Sequence, residues 1–255
     1  MLLALDIGNT NIVAGVFRGA ELVAQWRLST QRERTADEFA VFLQTAFELQ
    51  NLKFQDVGGV AVSSVVPPLT PQTQLLSTRY FGCEAVVVGP HTDCGLVNDY
   101  QPPEAVGADR LVNGLAAWKK FGTACVIVDF GTATTVDAVS QDGHYLGGAI
   151  APGLGISTDA LFRAAARLPR VELKAPDRAL ATHTSASMQS GLVFGYAGLV
   201  KELVTRCCAE MPQTPTVLAT GGLAELIAPH VPQIQHIEPH LTLEGLRLIW
   251  EMQQS

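Results

Sequence analysis

The chain opens with two short apolar runs, Leu2–Leu5 and Ile12–Phe17, separated by Asp6-Ile7-Gly8-Asn9-Thr10-Asn11. Runs this short, rich in branched residues and split by Gly-Asn, predict two strands of a tight hairpin. That turn constrains the rest of the chain, because its residue types have a chemical use. Gly lets backbone approach an anion closely, and the turn N–H groups with the Asn and Thr side chains donate to phosphate oxygens. Asp6, at the strand end, could hold the Mg²⁺ that neutralises those phosphates. No Gly-Lys-Ser/Thr follows and a strand comes next, so this is not a Walker loop. An ordinary Asn-containing turn explains the stretch equally well when it is taken alone.

A second copy changes that balance. Cys125-Val126-Ile127-Val128-Asp129-Phe130-Gly131-Thr132-Ala133-Thr134-Thr135-Val136 repeats the pattern half a chain later. Without gaps, Asp6 aligns with Asp129, Gly8 with Gly131 and Asn11 with Thr134. Two strand–Asp–x–Gly–polar turn–strand units at this spacing imply a duplicated domain. The pair resembles the two phosphate motifs of the actin, sugar-kinase and heat-shock ATPase superfamily. That resemblance implies an α/β fold of two ribonuclease H-like halves (an actin-like ATPase fold, each half of βββαβαβ type) around a nucleotide cleft.

The periodicity of the first half gives the same order independently. Glu21 to Leu28 is a third strand, Thr35 to Gln50 has helical spacing, and Val57 to Val66 is a strand stopped by Pro67-Pro68. Thr70 to Phe81 is expected as helix and Glu84 to Val88 as strand. Gly89 to Gly107 is Gly/Pro-rich and aperiodic, the kind of long loop that often carries function. Leu111 to Phe121 then reads as a helix crossing to the second half. There the meander is Thr123 to Phe130, Ala133 to Ser140 and His144 to Ile150, with Asp142-Gly143 as a turn. Helices are expected from Ile156 to Ala166, Ser187 to Met211 and Leu241 to Gln253, with strands at Thr216 to Ala219 and Gln233 to Ile237. The domains expected are 1–115 and 116–255.

Net charge is −7, with 17 basic against 24 acidic residues. This argues against nucleic acid or an anionic membrane as a partner, so phosphate must be gripped by backbone amides, metal and a few cations. No run reaches the roughly 18 apolar residues of a membrane helix, and Leu2 to Leu5 is too short for a signal peptide. Five cysteines without zinc-type spacing fit a reducing compartment. A soluble cytoplasmic protein is the expectation.

Three further stretches narrow the chemistry. Thr220-Gly221-Gly222 after a strand matches the superfamily's adenosine site. Gly107-Ala108-Asp109-Arg110 closes the long loop at a helix start. In an arbitrary protein this Asp is a helix cap; here it could take the proton of an attacking hydroxyl, with Arg110 pairing to a substrate carboxylate. Gly147-Gly148-Ala149-Ile150-Ala151-Pro152-Gly153 follows the second hairpin. Together with the two Asp-x-Gly turns, these motifs resemble the type III pantothenate kinase family along essentially the whole chain.

That resemblance implies ATP-dependent phosphorylation of pantothenate to 4'-phosphopantothenate, the first step of coenzyme A biosynthesis. By it, Asp6, Ile7, Gly8, Asn9, Thr10, Asn11, Ile12, Val13 and Thr132 bind ATP, with Mg²⁺ at Asp6. Tyr100, Gly107, Ala108, Asp109, Arg110 and Thr184 contact pantothenate, and Asp109 is the general base. Asp129 binds K⁺ or NH₄⁺. The family also implies a homodimer through the helix carrying Gly191, Gly195 and Gly198, whose small residues permit close helix contact. The six histidines show no metal spacing and none is assigned a role; His183 is singled out only as the neighbour of Thr184. The rival readings are another small-alcohol or sugar kinase, a ligand sensor that needs no base, and a nucleotide hydrolase that needs no covering loop.

Overall fold

The first hairpin forms as expected and sets the register of its sheet. β1 (Leu2–Ile7) pairs antiparallel with β2 (Asn11–Arg18), placing Asp6 opposite Val13 and Ile7 opposite Ile12. β3 (Glu21–Ser29) continues the meander. After α1 (Ala36–Leu49), β4 (Gly59–Ser64) pairs parallel to β1, so the sheet order is β3-β2-β1-β4-β5 with β5 at Ala85–Val88. Thr35 caps α1 and Glu38 reaches back to it, satisfying orphan N–H groups at both residues. Leu3, Leu5 and Ile7 of β1 and Val60 and Val62 of β4 bury their side chains against Phe39, Leu43 and Phe47 of α1. The helix expected over 70–81 is split: α2 (Thr70–Leu76) continues as a π-helical turn, Ser77–Phe81.

The structure is a computed structural model that describes residues 1–89, 91–165 and 167–254. It separates into two units, Met1–Ala116 with the C-terminal segment from Leu241, and Ala117–His240. The expected division into 1–115 and 116–255 assigned that last helix to the second half. Its contacts lie with the first. α7 (Leu241–Gln253) lays Trp250 over Gly59 of β4, where a Cβ would meet the indole at 2.5 Å, and Leu243 over Gly15 of β2. Missing side chains on the strands make room for large ones on the helix, so the pairing is one of shape.

Within the long loop, a two-residue strand β6 (Val97–Asn98) and a 3₁₀ turn at Pro103–Ala105 precede α3 (Ala108–Phe121). The helix begins three residues before the expected Leu111, which places Asp109 and Arg110 in its first turn. Pro90, inside the loop, lies outside the described residues.

The second unit repeats the scheme. β7 (Cys125–Phe130), β8 (Ala133–Val139) and β9 (His144–Pro152) form an antiparallel meander. β10 (Thr216–Thr220) pairs parallel to β7, and β11 (His236–Ile237) parallel to β10. α4 (Leu154–Ala164) and the long α5 (Thr184–Glu210) follow the meander, and a short α6 (Ala224–Ile227) follows β10. Ala166, the expected end of α4, lies outside the described residues. Val193, Tyr196, Ala197, Val200 and Val204 of α5 pack on Val126, Val128, Val136 and Ala138. Both units are thus a three-stranded meander extended by parallel strands, the ribonuclease H-like plan.

The two hairpins differ in one respect that an ungapped alignment hides. Four residues, 8–11, separate the innermost pair Ile7–Ile12, whereas three, 131–133, separate Phe130–Thr134. The structural counterpart of Thr134 is therefore Ile12 and not Asn11. Burial agrees, since both point inward and are almost wholly covered.

Candidate active site

In the first unit the Asp6 turn is an open one. Gly8 N–H donates to Asn11 O at 3.0 Å, and the next segment braces it from outside. Thr30 donates its hydroxyl to Gly8 O at 2.6 Å and its N–H to Thr10 O at 3.0 Å. Asn9, Thr10 and Asn11 are exposed and Asp6 is half-buried. Ile7 and Ile12, expected among the ATP contacts, bury their side chains fully in the core, so only their backbone remains for a ligand.

Asp109 lies at the same end of the sheet. Val65, just past β4, donates its N–H to Ile7 O at 3.0 Å. Gly107 sits beside it, for a Cβ built on Gly107 would be 3.8 Å from Val65 Cγ1 and 2.5 Å from Asp109 Oδ1. The carboxylate folds back over Gly107 and accepts the Arg110 N–H at 2.9 Å. Arg110 is buried, with its guanidinium over the Tyr100 ring at 5.7 Å, a cation–π contact. Tyr100 is held in turn by its N–H to Asn98 Oδ1 at 3.1 Å. Asp6, Gly107, Asp109, Arg110 and Tyr100 are thus organised by one unit, by contacts that link the loop, the start of α3 and the ends of β1 and β4.

The second unit's turn is closed. Gly153 N–H donates to Thr132 O at 3.1 Å, and a Cβ on Gly153 would lie 2.1 Å from that oxygen and 2.7 Å from Gly131 O. Gly221, at φ +90°, brings its backbone against Asp129: a Cβ there would be 2.6 Å from Asp129 Oδ1 and 2.7 Å from Phe130 backbone. Tyr196 braces the hairpin from α5, its hydroxyl donating to Pro152 O at 2.8 Å and lying 2.6 Å from Thr134 Oγ1. Burial pushes the Tyr196 pKa up, with the Thr134 hydrogen bond acting against it, so this phenol remains a neutral strut.

Among the described residues no group of three His, Cys, Asp or Glu side chains could hold a metal. A single carboxylate beside an exposed polar turn, as at Asp6, instead suits a Mg²⁺ carried by phosphates, which needs only one or two protein oxygens. Asp129 presents its carboxylate against the backbone of the Gly221 turn, and a carboxylate oxygen is a donor type that hard cations accept. Burial raises Cys125 to about 12, burial and then Asp93 raise Cys94 to about 11, and burial raises Cys207 and Cys208. All five cysteines are free.

A family model for type III pantothenate kinase matches residues 2–206. The type III pantothenate kinase of Geobacter sulfurreducens is 51% identical over 251 residues, spanning 98% of each chain. That of Roseiflexus sp. strain RS-1 is 50% identical over 255 residues and all of both chains. The chain belongs to the type III pantothenate kinase family. Solved structures share the fold at low identity. One is a protein titled a Baf family transcriptional activator from Campylobacter jejuni (TM-score 0.63, 19% identity, 99% and 98% of the two chains). Another is a polyphosphate/ATP-glucomannokinase from Arthrobacter sp. strain KM (0.52, 15%, 99% and 98%). A third is the ADPNP-bound activator of 2-hydroxyisocaproyl-CoA dehydratase from Clostridium difficile (0.56, 12%, 99% and 97%).

Within this pantothenate kinase family member, Asp129 and Thr132 lie on one turn of the second unit, but Thr184 stands apart from it. Thr184 opens α5, twelve residues before Tyr196, or about 18 Å along the helix from the residue that touches the hairpin. His183 is the N-cap of that helix, its Nδ1 accepting the Ala186 N–H at 3.3 Å. Gly191, Gly195 and Gly198 are exposed, and among the described residues nothing beyond the adjacent turns of their own helix lies within 4 Å of a Cβ on any of them. Sequence reasoning assigned no individual role to Gly153, Thr30 or Tyr196. Only Gly153 left a signal, as the last residue of a motif quoted for the family.

Proposed function

We propose that the protein transfers the γ-phosphoryl group of ATP to the hydroxyl of pantothenate. Membership of the family supports the substrate pair. The placement of Asp109 supports the chemistry and is the observation that carries the reading. A carboxylate held at the start of α3, beside the strand end that bears Asp6, can accept the proton of the attacking hydroxyl. As that oxygen bonds to the γ-phosphorus, the bond to the β-phosphate oxygen breaks and ADP departs. Such a transfer relies on positioning and charge stabilisation more than on covalent chemistry. The Asp6–Asn11 turn and Thr132 grip the phosphates, while Arg110, held over Tyr100, receives the pantothenate carboxylate. Mg²⁺ bound with ATP, contacted by Asp6, neutralises phosphate charge. Asp129 takes K⁺ or NH₄⁺.

The exposed small-residue stripe of α5 and the remoteness of Thr184 from its own unit's turn support a homodimer in which α5 forms the contact. A coupled assay of ADP release across alcohols tests the whole reading. Release that depends on pantothenate, and is absent with sugars, is the expected result. Release independent of any alcohol would make the protein a hydrolase, and nucleotide or pantothenate binding without release would make it a sensor.

A further inference from the structure

Ser63 and Ser64 stand side by side at the end of β4 and are used in opposite ways. The Ser64 hydroxyl lies 3.3 Å from both Val66 O and Val66 N and accepts the Thr70 hydroxyl at 3.0 Å, stitching the turn into α2. Ser63 is wholly buried and, among the described residues, its Oγ meets no hydrogen-bond partner. A buried hydroxyl without a partner destabilises a fold, and alanine would remove the penalty. The residue therefore carries a cost that a ligand-bound state can offset.

The register says which state. The parallel pairing of β1 and β4 sets Ser63 directly beside Asp6. Leu3, Leu5, Ile7, Val60 and Val62 turn to the core under α1, so alternation sends Asp6 and Ser63 together to the opposite face. Two residues on, Val65 extends the ladder to Ile7 O and approaches Gly107, over which the Asp109 carboxylate is folded. The orphaned hydroxyl is thus next to one functional carboxylate and two residues from the contact that seats the other.

We infer that Ser63 is a positioning residue for Asp6. When Mg²⁺ and nucleotide are bound, its hydroxyl would donate to the Asp6 carboxylate and hold that side chain in one orientation. An O–H donor to a carboxylate is a short, strong hydrogen bond, and the buried position excludes water from competing. The inference rests on the reading of Asp6 as the Mg²⁺ contact.

The test uses the full chain and reads ATP affinity by calorimetry without pantothenate, once with Mg²⁺ and once with EDTA, beside the melting temperature. Ser63→Ala should weaken ATP binding about tenfold or more in Mg²⁺ only, with an unchanged or raised melting temperature. Ser64→Ala should lower the melting temperature and leave the Mg²⁺ effect intact. Asp6→Asn should abolish most of the difference between the Mg²⁺ and EDTA arms. If Asp6→Asn does so but Ser63→Ala stays within twofold of the parent, the positioning role is refuted and the reading of Asp6 survives. A Ser63→Ala protein that loses affinity equally in both arms, with a fallen melting temperature, also refutes it by making Ser63 structural. If Asp6→Asn leaves both arms unchanged, the reading of Asp6 itself fails.

Discussion

Gly107→Ala should separate the placement of the base from the stability of the fold. The added Cβ would lie 2.5 Å from Asp109 Oδ1, against a comfortable contact of roughly 3.5 Å. The carboxylate, being the movable partner, shifts by about 1 Å and gives up the Arg110 N–H bond. That bond is worth about 0.5–1.5 kcal/mol net. Alanine returns about 0.4–1 kcal/mol by restricting the unfolded chain, because Gly107 is not among the positive-φ residues. The two nearly cancel, so the melting temperature should move by no more than about 2–4 °C. A misplacement of 1 Å, in contrast, can cost about 10²-fold in turnover. ATP affinity should hold, since the Asp6–Asn11 turn is untouched. Asp109→Asn supplies the companion. Its amide oxygen can still accept the Arg110 N–H, so stability should persist while kcat falls about 10²- to 10⁴-fold. If Gly107 acts only through the carboxylate, the double variant should turn over no more slowly than Asp109→Asn alone. Steady-state kinetics of the three proteins decide it. Multiplicative losses, or Gly107→Ala within threefold of the parent, would refute the placement argument. Asp109→Asn within threefold would remove Asp109 as base.

Gly221→Ala forces a side chain into φ +90° and against Phe130 backbone and Asp129 Oδ1. It should cost about 1–3 kcal/mol from backbone strain, read as a fall in melting temperature, and should weaken any dependence on monovalent cation, seen by titrating the salt. Replacing K⁺ and NH₄⁺ by a bulky organic cation should reduce activity strongly. Full activity without them would remove Asp129 from that role. Light scattering at micromolar concentration should give a dimer, and Gly195→Leu on the exposed stripe should shift it to monomer. A fully active parental monomer would refute the assignment of α5 as the contact.

The hairpins were legible in the sequence because an Asp and a Gly interrupting branched apolar runs leave little else for the backbone to do. Their register was not. Spacing alone set Asn11 opposite Thr134 in the repeat, whereas the second turn is one residue shorter and the ladder pairs Thr134 as Ile12 is paired. Side-chain size could not reveal this, since a buried Thr held by Tyr196 and a buried Ile satisfy the same inward position. The last helix shows a second limit. Its periodicity announces an apolar face but not the sheet beneath it, which depends on Gly15 and Gly59 leaving room for Leu243 and Trp250. Ser63 and Ser64 show a third: two identical neighbours, one knitted into a turn and the other alone, are told apart only by three-dimensional hydrogen bonding.

The proposed roles give the two copies of one motif different ligands, and the turns differ in a way that supports this. The first, a residue longer, is braced by Thr30 from outside and leaves Asn9, Thr10 and Asn11 exposed as donors, which is what phosphate oxygens require. The second has its carbonyls crowded by Gly153 and its carboxylate packed against the Gly221 backbone. Those atoms are acceptors, and acceptors attract cations. On the proposed roles, the longer first turn adds exposed donors beside Asp6, whereas the shorter second turn sets Asp129 against the Gly221 backbone and leaves Thr132 as its phosphate contact. Transplanting the longer turn into the second hairpin, by inserting Asn between Gly131 and Thr132, should break the Gly153 N–H to Thr132 O bond. Cation dependence should fall while the first turn's ATP contacts persist. A variant that keeps the parental cation dependence would show that turn length does not set the ligand.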